Sequence, residues 1–274
     1  MKIALIGAGG KMGVRLATNL KGSRFAVAPV EVSEAGQARL KEATGFDCMP
    51  LDEALSGAGA VILAVPDTAI RAVSRQIVEK LDSGTVVIIL DAAAPFAGHL
   101  PPREDITYFV THPCHPPIFN DETDMAAKKD YFGGVAAAQA IVSALMQGPE
   151  EHFAVGEEIA KTIFQPILRS HRATVEQMAL LEPGLSETVC ATLLVVMKEA
   201  MEEVVRRGVD REAARDFLLG HMNVLGSVIM EETDGQFSDA CNKAIENGKP
   251  RLMRDDWIKV FEPEEIVESI RRIT

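Results

Sequence analysis

The chain has 274 residues, 47% hydrophobic and 25% charged, with 28 Lys and Arg against 40 Asp and Glu and a formal charge of -12. That is apolar material for a sizeable core shared between two domains, and it excludes disorder, collagen-like repetition and coiled coil. The acidic balance argues against a nucleic-acid-binding face, which needs a basic surface to neutralise phosphates.

The N-terminal apolar stretch, residues 2–6, runs straight into glycine, too short for a secretion signal, and the cleanest apolar runs elsewhere fall short of the roughly 20 residues of a membrane helix. No membrane association is expected. The four cysteines (Cys48, Cys114, Cys190, Cys241) have no CxxC spacing and read as free thiols in a reducing cytoplasm.

In chain order, compact apolar runs of strand length cover residues 3–6, 25–32, 60–65, 85–90 and 106–110. Amphipathic stretches over 12–21, 34–44, 51–56 and 68–81 separate them. Apolar strands alternating with helices predict a doubly wound parallel sheet of Rossmann type, covered on both faces. A further strand over 140–146 and a helix over 149–164 complete this part. From about Val175 the pattern is helical, with helices expected over 183–208 and 210–231, and Asp210 is the N-cap of the second. The domains are therefore expected at 1–170, a dinucleotide-binding domain, and 171–274, an all-helical substrate and dimerisation domain.

The sharpest motif is Gly7-Ala8-Gly9-Gly10-Lys11-Met12-Gly13, between the first strand and the first helix. Glycine there permits a sharp turn, close approach of backbone to a pyrophosphate, and tight packing of helix on sheet; the helix N-terminus then offers unpaired N–H groups to the phosphates. Glu31 closes the second strand 18 residues beyond Gly13. A carboxylate there accepts hydrogen bonds from the adenosine ribose and repels a 2′-phosphate, so NAD is expected over NADP. Val65, Pro66 and Asp67 end the third strand at the same crevice and are expected to approach the cofactor, as are Asp91 to Pro95 at the end of the fourth.

After the fifth strand comes Thr111-His112-Pro113-Cys114-His115-Pro116-Pro117-Ile118-Phe119-Asn120. Three prolines stiffen the backbone around two histidines at the cofactor end of the sheet. His112 and His115, with Asn120, are the candidate catalytic residues; the imidazoles suit a general base or a metal ligand. A single divalent metal (zinc, manganese, magnesium or calcium) is expected between His115 and Glu187, near the start of the long helix, where it would polarise adjacent substrate oxygens. Lys249, Arg251 and Arg254, beside the single tryptophan Trp257, form a basic group suited to a carboxylate, across a dimer interface or as a solvated segment.

The GAGGKMG opening, the AVPD strand end, the THPCHPP loop and the terminal KPRLMRDDWIKVF resemble the phosphogluconate-dehydrogenase-like, semialdehyde-dehydrogenase NAD-binding family, over essentially the whole chain. That resemblance implies NAD-dependent oxidation of a branched sugar acid, coupled to an acyloin-type rearrangement that leaves a 3-oxo acid. More remotely the sequence is similar to β-hydroxyacid dehydrogenases, but their catalytic Lys with Asn four residues on is missing, since Lys198 is followed by Glu202 at that spacing. The aspartate-rich double-magnesium pattern of ketol-acid reductoisomerases is absent too. The rivals are a simple hydroxyacid dehydrogenase and an NAD-sensing regulator. The expected partners are a small sugar acid and a second copy of the chain, a homodimer.

Overall fold

The computed structural model describes residues 1–273. The first part runs β1 (Lys2–Ile6), α1 (Lys11–Lys21), β2 (Ala26–Val30), α2 (Glu34–Thr44), α3 (Leu51–Leu55), β3 (Ala60–Leu63), α4 (Asp67–Val78), β4 (Val86–Ile89), α5 (Ala93–Phe96) and β5 (Thr107–Pro113). It continues with α6 (Met125–Lys129), β6 (Gln139–Gln147), α7 (Glu151–Ile163), β7 (Ile167–Arg172) and α8 (Val175–Ala179). The strands form one seven-stranded sheet in the order β2-β1-β3-β4-β5-β6-β7. The order reverses at β1, so the crevice between β1 and β3 is the topological switch point where ligands of such sheets bind.

Alternation along each strand builds two cores. On one face Ile3, Leu5, Ile62, Ile88 and Phe109 pack with Leu16, Leu20, Ile159 and Ile163 of α1 and α7. On the other, Ala4, Ile6, Val61, Leu63, Val87 and Ile89 pack with Ile70 and Ile77 of α4. The expected Rossmann-type sheet is therefore present, with one correction: β6 pairs antiparallel to β5. A further strand, β7, lies beyond it, parallel to β6. Its residues Ile167–Arg172 are largely exposed and polar, so it carries no apolar run to announce it.

Contacts divide the chain into one compact unit of residues 1–182, joined by the chain from Val267 onward, and a second of residues 183–266. The boundary thus falls later than the expected 170/171, because β7 continues the sheet through Arg172 and α8 packs beside β6. The second unit holds α9 (Thr192–Arg206), α10 (Arg211–Ile229), α11 (Asp239–Leu252) and a 3₁₀ turn (Trp257–Phe261); α12 (Pro263–Ile273) ends the described chain. Asp210 caps α10 as expected, its carboxylate accepting from the amides of Glu212 and Ala213.

The long helix departs from expectation. Residues Leu180–Ala191 form a π-helix containing Pro183, and α9 proper begins at Thr192. Proline lacks the amide that regular winding needs. The Thr188 hydroxyl, five residues on, donates to the Pro183 carbonyl at 2.6 Å. The helical run Val175–Arg206 is long and apolar enough, by length and composition alone, to cross a membrane. Short unbroken apolar runs had not indicated this.

Candidate active site

The cofactor end is made mainly of backbone. Gly7 sits at φ +80°, and a Cβ there would lie 2.4 Å from the Ala64 carbonyl oxygen. Gly9 meets the backbone of Gly36 so closely that its Cβ would lie 2.4 Å from the Gly36 carbonyl. Gly10 precedes α1 as an N-cap without a side chain, and the first turn, which holds Lys11, Met12 and Gly13, carries no acidic residue. The amides there are left to an anion.

Glu31 is fixed against this loop. Its Oε2 accepts from the Gly9 amide at 3.0 Å and its Oε1 from the Ser33 amide at 2.9 Å. The Arg39 guanidinium donates twice to the Gly9 carbonyl, at 3.1 and 2.9 Å. The second βα unit therefore holds both the amide and the carbonyl of Gly9.

The second half of the site is made of side chains from distant segments. Three residues, Asp91 after β4, His112 at the end of β5 and Glu182 in the π-helix, bring ligand atoms within 4.8 Å of one another. The His112 Nδ1 lies 2.8 Å from the Leu90 carbonyl, which can only accept, so Nδ1–H donates. His112 Nε2 is thereby turned to Glu182 Oε2 at 3.0 Å. Asp91 Oδ1 accepts from the Ala93 amide at 2.5 Å. Two atoms each about 2.4 Å from one ion lie at most about 4.8 Å apart, so one imidazole nitrogen and two carboxylates at this spacing fit a divalent cation.

Burial pushes the Asp67 carboxyl above its ordinary range, and the neighbouring Asp91 and Glu182 charges push the same way against His112. Asp67, expected only at the cofactor crevice with Val65 and Pro66, thus also faces the carboxylate cluster. Val65 and Pro66 lie where β3 leads into α4, and Val65 closes on the Gly7 turn.

His115 stands beside the cluster, its ring centroid 6.0 Å from that of His112 and edge-on to it. Its backbone is in the left-handed region, φ +61°, unusual for a residue with a side chain. Its Nδ1–H donates to the Phe132 carbonyl at 2.9 Å, leaving Nε2 as the unprotonated nitrogen, as in His112. The Phe132 loop is folded around Asp130, whose carboxylate accepts from the amides of Val135, Ala136 and Ala137.

The expected metal pair, His115 with Glu187, differs from the cluster described within the first unit. Among the described residues the one cluster of this kind uses His112 and Glu182, and Glu187 belongs to the second unit. Glu182 and Glu187 both lie in the π-helix Leu180–Ala191, whose winding could not be read from spacing on an assumed regular helix. Asn120 has a local role: its Nδ2 donates to the Pro117 carbonyl at 2.6 Å and its Oδ1 accepts from the Glu122 amide at 3.1 Å, folding its own loop. Lys249, Arg251 and Arg254 lie in the second unit, where Arg254 pairs with Asp256 and Lys249 stands 5.9 Å from the Trp257 ring centroid.

A glycine-loop sheet joined to a helical unit, with a histidine and carboxylates at the strand ends, defines a Rossmann-type dehydrogenase. Residues 1–117 match the NADPH-binding domain of acetohydroxy acid isomeroreductase, and residues 120–274 match the phosphogluconate dehydrogenase (decarboxylating) C-terminal family. The chain is 73% identical over 272 residues to a D-apionate oxidoisomerase of Rhizobium rhizogenes, covering 99% of each, and 70% identical to one of Cupriavidus necator, covering 100% and 99%. A crystal structure of a semialdehyde dehydrogenase NAD-binding protein from Cupriavidus necator, in complex with calcium and NAD, superposes with a TM-score of 0.98 at 70% identity, covering 100% of this chain and 99% of that one. The chain belongs to the D-apionate oxidoisomerase family.

Proposed function

We propose that this chain oxidises D-apionate, or a closely similar branched sugar acid, with NAD and isomerises the product to a 3-oxo acid. The observation that carries the reading is 73% identity over nearly the whole of both chains to a D-apionate oxidoisomerase. Glu31, held by two amides beside the glycine loop, favours NAD, since a second phosphate there would meet a fixed carboxylate.

When bound, NAD accepts the hydride and a divalent cation draws electron density from adjacent substrate oxygens. Asp91, His112 and Glu182 would hold that cation. Leu90, through its carbonyl, keeps the His112 proton on Nδ1 and so leaves Nε2 free to ligate. His115, with its own Nδ1 proton fixed by Phe132, offers Nε2 to take the proton of the hydroxyl being oxidised. The bonds of the sugar acid then rearrange without loss of atoms: a hydroxymethyl group moves from C3 to the new C2 carbonyl, and the C3 hydroxyl becomes the ketone.

The chain works as a homodimer in the cytoplasm on this reading. Supporting the dimer, α9 has no buried residue, and Leu194, Val195, Phe217, Val224 and Ile229 are exposed on α9 and α10. A second copy suits these faces better than a bilayer, because Lys198, Glu199, Glu202 and Glu203 interrupt α9. Four free cysteines fit a reducing compartment.

The test is incubation of the purified protein with D-apionate and NAD, following NADH absorbance and the product by carbon NMR. A rearranged 3-oxo acid formed with NADH is expected. NADH with an unrearranged 2-oxo acid would reduce the function to a simple dehydrogenase, and no NADH would reject it.

A further inference from the structure

Beside the end of β2 opens a cavity of about 680 Å³, lined among others by Glu31, Glu34, Lys41, Asp47 and Cys48. It lies in the second βα unit, whose Glu31 reaches the Gly9 amide of the glycine loop, the place where such folds hold the adenosine of a dinucleotide. Its lining carries three carboxylates, and Lys41 is the only base among the described lining residues.

That base is already engaged. Lys41 lies in the last turn of α2, and Gly45 follows as a left-handed C-cap at φ 78°, its amide donating to the Lys41 carbonyl. The chain reverses there and brings Asp47 Oδ2 to 2.7 Å from Lys41 Nζ. Arg39, the other cation of α2 near this loop, is committed to the Gly9 carbonyl. A phosphate on the adenosine ribose would therefore meet Glu31 without a free cation to receive it.

We propose that Asp47 is a second determinant of cofactor choice, withholding Lys41 from a 2′-phosphate while adding its own negative charge to the cavity. The inference rests on the NAD reading above and goes past Glu31, because it makes the selectivity a property of two carboxylates and one lysine. Removing Glu31 alone is therefore expected to leave NADP disfavoured. The ion pair is open to water, with side chains 53% and 83% exposed, so the effect is a modest, salt-sensitive one.

The experiment is calorimetric titration of NAD and NADP into the wild-type chain and into Asp47→Asn, Glu31→Gln, the double variant, and Asp47→Asn combined with Lys41→Met. Asp47→Asn is expected to shift the NADP-to-NAD affinity ratio about three- to tenfold toward NADP, from the strength of one partly screened charge. In the double variant with Glu31→Gln the shift should exceed the product of the single shifts, since a freed Lys41 then meets the phosphate unopposed. Adding Lys41→Met should cut the gain of Asp47→Asn to the smaller part due to the charge of Asp47 itself. An unchanged ratio in Asp47→Asn, or the same gain without Lys41, would overturn the inference while leaving the NAD reading intact. A wild-type chain that fails to bind NAD would reject both.

Discussion

The two ends of the site are built by opposite means. The cofactor end is a matter of backbone: Gly7, Gly9 and Gly10 shape a loop whose groups are fixed by the adjoining βα unit, through Glu31 and Arg39. The catalytic end is a matter of side chains, with Asp91, His112 and Glu182 arriving from β4, β5 and the π-helix. The first kind is specified locally and tolerates little change in conformation. The second depends on three segments far apart in the chain, and on a helix wound irregularly at Pro183.

The sharpest way to separate the two ends is His112→Ala. Removal of the proposed metal ligand and of its oriented Nε2 should lower the rate of NADH formation with D-apionate about 10²–10⁴-fold. NAD affinity, measured by calorimetry, should stay near wild type, because the His112 ring is held by Leu90 and Glu182, outside the glycine loop. Loss of NAD binding together with turnover would mean that the two ends are one coupled site and would break the comparison.

How much each end could be read in advance follows from the same contrast. The glycine loop and Glu31 lie within 25 residues and repeat a known local geometry, so composition and spacing sufficed. The Rossmann-type sheet was equally legible, since its buried strands are continuous apolar runs. β7 was not, because Arg169, Ser170, His171 and Arg172 give it no apolar signature. The spacing predicts a helix from Pro183, and regular winding from there points to Glu187, whereas the π-helix leaves Glu182 as the residue beside His112. Convergence of Asp91 with His112 is a property of neighbouring parallel strands, β4 and β5, whose ends meet only once the sheet is formed.

A smaller effect tests the loop that supports His115. Burial disfavours the charge on Asp130, but the amides of Ala136, Ala137 and Val135 outweigh it and hold the carboxyl below its ordinary range. Asp130→Ala should lower stability at neutral pH by about 1–2 kcal/mol, a value reduced for the partial exposure of the group. A carboxyl with a depressed folded value stabilises above its unfolded pKa of about 4 and loses that contribution as pH falls through the folded one. Denaturation of wild type and variant should therefore differ at pH 7 and converge below about pH 4. A difference independent of pH would assign Asp130 a packing role only.

The central claim is that the catalytic end holds its cation through Asp91, His112 and Glu182. It is tested most directly by titrating Mn²⁺ into the NAD-saturated protein and following free Mn²⁺ by electron paramagnetic resonance. Wild type and Glu187→Gln should each bind a single ion per chain, and Glu182→Gln should weaken that binding at least about tenfold. Undiminished binding in Glu182→Gln, with loss in Glu187→Gln, would contradict the account and move the metal to the other carboxylate.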